Sequence, residues 1–129
     1  MTFDNYVMTQ NSPYDGSPMI LVSVTATAFS TIGRLFNLTI ADPDRRLVAV
    51  FQGSQRTGGY AIRITAIQRD GDRLIVRAEF TIPPQGGVVT QVITSPAHLV
   101  TVAAADGDGI REAILLDTRG VERARFTVP

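Results

Sequence analysis

The sequence predicts a single, mainly β domain of about eight antiparallel strands, a sandwich or partly open barrel, with one short helix near residues 30–38. Three observations lead there. Val, Ile and Thr supply 38 of the 129 residues, and such β-branched types favour pleated, half-buried surfaces because their χ1 freedom is already restricted. Apolar and polar residues alternate over several short runs, the period of a strand with one face in the core. Clusters of Gly, Pro and Asp divide those runs at short intervals, as turns require. A chain of this length buries roughly two-thirds of its unfolded surface without disulfides or metal, so one domain accounts for it.

Residues 1–17 are polar, with Asp4, Asn5, Gln10, Asn11 and Asp15, and are expected to form an extended N-terminal arm. They lack the basic segment and apolar run of a signal peptide. Strands are expected at 19–27, 47–52, 60–69, 73–82, 88–94, 98–104, 110–118 and 121–128. The stretch 30–40 fits two patterns. Ile32, Leu35, Phe36 and Ile40 suit a short helix capped by Ser30, whereas Phe36, Leu38 and Ile40 suit strand alternation; the helix is preferred, ending before Asp42-Pro43-Asp44.

The clearest hairpin surrounds Asp70-Gly71-Asp72. Pairing Arg69 with Arg73 across a three-residue loop sets Ile64 opposite Ala78, Ile62 opposite Phe80 and Tyr60 opposite Ile82, with Ala66, Leu74 and Val76 on the same inward side. Arg63 then opposes Glu79 on the outer face. A second hairpin is expected to turn at Thr118-Arg119-Gly120.

Charge and chemistry narrow the function. The 12 basic residues, all Arg, balance 12 acidic ones, so the basic excess of a nucleic-acid or anionic-membrane binder is missing. Without cysteine there are no disulfides, thiolate nucleophiles or Cys-based zinc sites. Apolar runs such as Met19-Ile20-Leu21-Val22 fall far short of the roughly 20 residues of a membrane helix. His98 is the sole imidazole, and at the head of an apolar strand it is expected to pack or hydrogen-bond; no enzyme activity is expected. Asp106-Gly107-Asp108-Gly109 followed by Glu112 echoes a calcium loop but has the glutamate too early, so a polar hairpin turn is expected there. Neither a metal nor a cofactor is expected.

The most distinctive loop is Gly53-Ser54-Gln55-Arg56-Thr57-Gly58-Gly59-Tyr60. Its glycines have the spacing of a phosphate-binding loop, but Gly59 stands where that loop has lysine, and the chain has none. Paired glycines permit a sharp reversal, and backbone amides beside Arg56 leave an anion-binding nest as an alternative.

Leu47-Val48-Ala49-Val50-Phe51, the loop 53–60, the Asp70-Gly71 hairpin, Pro83-Pro84 and Val89-Thr90-Gln91-Val92-Ile93-Thr94-Ser95-Pro96 together resemble the C-terminal domain of the PrcB family. The resemblance spans about residues 47–102 and pairs a G-x-x-x-T-G-G-Y loop with a downstream T-Q-V strand ending in proline. Arg56 departs from it, standing where the family commonly has proline. The family's best-known member is a lipoprotein subunit that stabilises a surface serine-protease complex. What the resemblance implies is a non-catalytic protein-binding accessory domain whose partner is another protein, a protease in the first instance, with binding residues Gly53, Gln55, Arg56, Thr57, Gly58, Gly59, Tyr60, Thr90, Gln91, Ser95 and Pro96. The two segments are expected to approach one another, with Tyr60 both packed in the core and available for contact. A protease inhibitor that presents the loop, or a small-molecule or anion-binding domain, is the alternative. Cytoplasmic location is expected if Met1 is the native start, and an exported or cell-surface one if the chain is trimmed. Homo-oligomerisation is left open by the zero net charge.

Overall fold

The computed structural model describes residues 1–37 and 44–128. Eight strands are arranged in two four-stranded sheets: β1 (Asp4–Thr9), β2 (Met19–Val22), β3 (Arg45–Phe51), β4 (Ala61–Asp70), β5 (Arg73–Thr81), β6 (Ala97–Ala103), β7 (Glu112–Leu116) and β8 (Glu122–Thr127). Helix α1 (Ala26–Phe36) follows β2 and a single turn, α2 (Ala104–Gly107), follows β6. The first sheet runs β1-β6-β3-β2 and the second β4-β5-β7-β8. The architecture is the sandwich of the two expected, without closure into a barrel. Every pairing is antiparallel except β5 with β7, which are parallel because the chain between them crosses to the first sheet as β6 and returns through α2.

Alternation assigns the core. Val48 and Val50 of β3 and Val100 and Val102 of β6 face Ile62, Ile64, Leu74, Val76 and Leu115 of the other sheet. Leu47, Ala49, Phe51, Ala97 and Leu99 point the opposite way and meet Ile32 of α1. Central strands covered on both faces read as continuous apolar runs, which is why Leu47-Val48-Ala49-Val50-Phe51 shows no period. Burying each such side chain contributes about 1.5–3 kcal/mol.

The helix begins five residues before the position expected from a Ser30 cap. Thr25 is the cap: its Oγ1 accepts the Ala28 N–H at 3.0 Å. The β-branched run through Val22, Val24, Thr25 and Thr27 favoured extending the strand to residue 27, yet burial of Ala28 and Ile32 against the first sheet outweighs that propensity. Thr25→Ala should lower stability by about 1 kcal/mol, read as a shift in the urea midpoint. The expected ending before Asp42-Pro43-Asp44, and the strand alternative through Leu38 and Ile40, concern positions 38–43, outside the described residues.

Four further expectations are corrected. The first hairpin keeps Ile62 opposite Phe80, Arg63 opposite Glu79 and Ile64 opposite Ala78, but the turn is tighter, with Asp70 opposite Arg73 and Arg69 opposite Leu74. A bulge between Ile64 and Ala66 absorbs the one-residue difference, so the larger Ile67 is buried where Ala66 was expected. Tyr60 and Ile82 are not a core pair: the ladder stops at Ala61 opposite Thr81, and Ile82 is 67% exposed. Pro83-Pro84, which have no N–H to give, follow at once. Residues 4–9 of the N-terminal arm are β1, paired along β6. Asp106-Gly107-Asp108-Gly109 joins β6 to β7 across the two sheets through α2, not as a hairpin, and Asp108 is held by Arg46 at 2.7 Å. The second hairpin turns where expected, with the Asp117 carboxylate accepting the Arg119 and Val121 amides, which lowers its pKa.

Candidate functional site

β3 ends at Phe51, and the chain reverses through residues 52–60 before entering β4. Gln52 anchors the base, donating its backbone N–H to the Pro96 carbonyl and its side-chain Nε2 to the Thr81 carbonyl, each at 3.0 Å. The loop then lies against the segment that precedes β6. Gln55 and Thr94 exchange a reciprocal pair of backbone bonds at 2.8 and 2.9 Å, and the Gly58 N–H reaches the Thr90 carbonyl at 3.0 Å. Thr94 Oγ1 donates to the Thr57 carbonyl at 2.8 Å. Two segments some 35 positions apart in sequence are thus tied by backbone, and the tie needs small residues. A side chain at Gly58 would collide with Thr90 Oγ1, and Gly59, at φ +90°, has Pro83 where a Cβ would sit.

The expected site residues divide by burial. Gly53, Gly58, Ser95 and Pro96 are buried; Gly58 and Pro96 take part in the tie, whereas Gly53 lies against residues 16–18. Ser95 Oγ bonds the Tyr14 carbonyl and lies 3.0 Å from Ser12 Oγ, linking the segment to the stretch after β1. Gln55, Thr57 and Tyr60 are half-buried, while Arg56, Gly59, Thr90 and Gln91 are exposed. The exposed Arg56, Thr90 and Gln91, and the part of Tyr60 that is not covered, are the surface these segments offer a partner. Arg56 has no ion-pair partner among the described residues.

The loop, its tether to the 88–94 segment and the intervening β4-β5 hairpin fall within one stretch of the chain. Residues 46–103 match the PrcB C-terminal family. No curated protein and no solved structure matches the chain.

Within the matched segment the expected strand 88–94 is not formed. It forms no ladder; only Thr94, through its bridge to Gln55, is paired in strand fashion. Val88 is fully exposed, and Ile93 and Val92 are 75% and 56% exposed. A signal against a strand is present in the sequence: Pro83-Pro84 and Gly86-Gly87 detach the segment from β5.

His98, also within the matched segment, is 3% exposed and bridges the two sheets. On β6 it alternates inward with Val100 and Val102. β4 is an edge strand, so its Ile64 N–H has no ladder partner on that side; His98 Nδ1 accepts it at 2.9 Å. Nε2 faces Asn5 Oδ1 of β1, which fixes the neutral tautomer with the proton on Nε2. Burial, reinforced by the Arg63 charge, holds the imidazole pKa below its ordinary value. A cleft of about 550 Å³ between the β1 and β4 edges, lined by Phe3, Asn5, Met8, Arg63 and Thr65, lies over it. No cluster of three metal-ligating side chains occurs among the described residues. No helix there is long and apolar enough to cross a membrane.

Proposed function

We propose that the chain is a non-catalytic protein-interaction module of the kind that accompanies a protease, binding through the outer side of the tie between residues 53–60 and 88–94. The observation that carries the reading is that tie. It holds an unpaired Arg56 and the exposed Thr90 and Gln91 on a backbone-pinned platform, and a pre-ordered surface loses little entropy on binding. The match of residues 46–103 to the PrcB C-terminal family supports a protease as the partner class. The non-catalytic part rests on His98. Both ring nitrogens are engaged within the fold, which leaves no imidazole free to act as a base. The inhibitor reading gains less, because an inserting loop must project, whereas Gly58 is buried and its N–H is given to Thr90.

The test compares the wild-type chain with an Arg56→Ala plus Tyr60→Ala double variant in pull-downs from native extract, with the folding of each checked by thermal melting. Recovery of a protease should fall at least about tenfold in the double variant, the size expected for loss of Tyr and Arg contacts. The recovered protease should also lose activity more slowly when the wild-type chain is added back. Equal recovery by a folded variant contradicts the proposal, and loss of protease activity on adding the chain favours an inhibitor.

A further inference from the structure

The cleft of about 550 Å³ between the β1 and β4 edges shares no residue with the tie between 53–60 and 88–94, and its size is that of a small-molecule site. Its shape begins with the bulge in β1. Asn5 pairs with Val100 and Met8 with His98, so the irregularity between Asn5 and Val7 lets residues three apart both face into the sandwich, where unbroken alternation would turn one of them out. Phe3 packs against the main core, and Met8 faces inward yet is 49% exposed. These two side chains form one apolar bank of the cleft, with Ile64 on the other.

The polar groups left free at the cleft are donors. His98 Nδ1 accepts the Ile64 N–H, so Nε2 carries the proton and gives it to Asn5 Oδ1. That bond orients the Asn5 amide and leaves its Nδ2 without a hydrogen-bond partner among the described residues. Arg63, on the edge strand β4, reaches the rim of the cleft. Glu79 stands 3.8 Å from its guanidinium, beyond hydrogen-bond reach, and both side chains are more than half exposed, so this pair holds Arg63 weakly. No carboxylate lines the cleft among the described residues. Free donors, one of them a full positive charge, complement an anion, and the planar guanidinium fork matches a carboxylate. Phe3, Met8 and Ile64 call for an apolar body behind that charge. An added peptide strand fits less well, because it would have to pair with the β4 edge, where the Ile64 N–H is already given to His98.

We propose that the cleft between β1 and β4 binds a small organic carboxylate, its charged head held by Arg63 and Asn5 and its apolar body laid between Phe3, Met8 and Ile64. The proposal goes beyond the accessory-module reading and uses none of the residues assigned to that surface. Failure of one is therefore distinguishable from failure of the other.

The test is a titration of the full chain with sodium hexanoate, followed residue by residue in two-dimensional amide NMR spectra. Saturable shifts should centre on Asn5, Met8, Ile64 and Thr65, with a dissociation constant of about 1 mM or below. Hexanol, which keeps the tail without the charge, and acetate, which keeps the charge without the tail, should each bind at least about tenfold more weakly. Arg63 is exposed, so Arg63→Gln should leave the spectrum away from the cleft unchanged while weakening hexanoate at least about tenfold. The Arg56→Ala plus Tyr60→Ala variant should bind hexanoate like wild type. Absence of saturable shifts at the cleft amides up to about 10 mM hexanoate overturns the proposal. So does hexanol binding as tightly as hexanoate, undiminished binding by Arg63→Gln, or shifts centred on residues 53–60 and 88–94 instead.

Discussion

Replacing His98 by alanine is expected to cost the fold about 3–5 kcal/mol, measured as the change in unfolding free energy by urea titration. The imidazole occupies the inner face of β6 and is 3% exposed. Its removal leaves a cavity and orphans the Ile64 N–H and the Asn5 side chain together. A buried donor without a partner costs about 1–3 kcal/mol by itself. Burial of the ring, with the Arg63 charge beside it, gives a pH dependence of defined sign. The folded-state pKa lies below the ordinary 6.5, so the unfolded chain takes up the proton first as pH falls. His98 therefore carries no penalty above about pH 6.5. The penalty grows as pH drops below that value and is complete once pH passes the folded-state pKa. Between pH 7 and 5 the wild-type chain should lose stability more steeply than His98→Ala, with carboxylates contributing similarly to both. Parallel stability curves would show that the imidazole does not titrate against the Ile64 contact.

The second large effect is expected at Gly59. Its φ of +90° is a conformation that alanine adopts only under strain, and an added Cβ would stand 2.8 Å from Pro83 Cβ. Gly59→Ala should destabilise by about 2–3 kcal/mol. The two causes separate in a double-mutant cycle. Pro83→Gly removes the nearest obstructing atoms, so Gly59→Ala should cost less in that background, and the remainder, roughly 1 kcal/mol, is the backbone part together with the 3.2 Å approach of Val89 Cγ1. An unchanged cost in both backgrounds would mean that the close approach to Pro83 does not exist.

Much of this arrangement was legible in the sequence, for stated physical reasons. The Ile62, Ile64, Ala78 and Phe80 pairings follow from period-two alternation, which a one-residue slip would reverse. The turn end of the same hairpin departs from unbroken alternation, because the chain bulges at Thr65. The pattern Ile62, Ile64, Ile67 already breaks period, and a bulge is the usual reason. Helix α1 was found but begun late, since β-branched residues before it suggested strand and the Thr25 cap was passed over for Ser30. The parallel β5-β7 pair could not be read locally, because it depends on where β6 goes between them. At the candidate site, the loop 53–60 and its neighbour 88–96 were singled out by residue type, and the structure brings them together. What residue type did not reveal is which members face outward. Ser95 and Pro96 are buried, whereas Val88, Val92 and Ile93, expected in a strand, are on the surface.

The claim on which the functional reading rests is that residues 88–94 are pinned to the loop on one side and open on the other. Amide hydrogen exchange, resolved by residue on a dilute sample of the chain, tests it most directly. The Gln55, Gly58 and Thr94 amides, which are bonded across the tie, should exchange at least about a hundredfold more slowly than in the unfolded chain. The amides of Val88, Val89, Gln91, Val92 and Ile93 should exchange at nearly the unfolded rate. Uniform protection through 88–93, or its absence at Gln55, Gly58 and Thr94, would contradict the account.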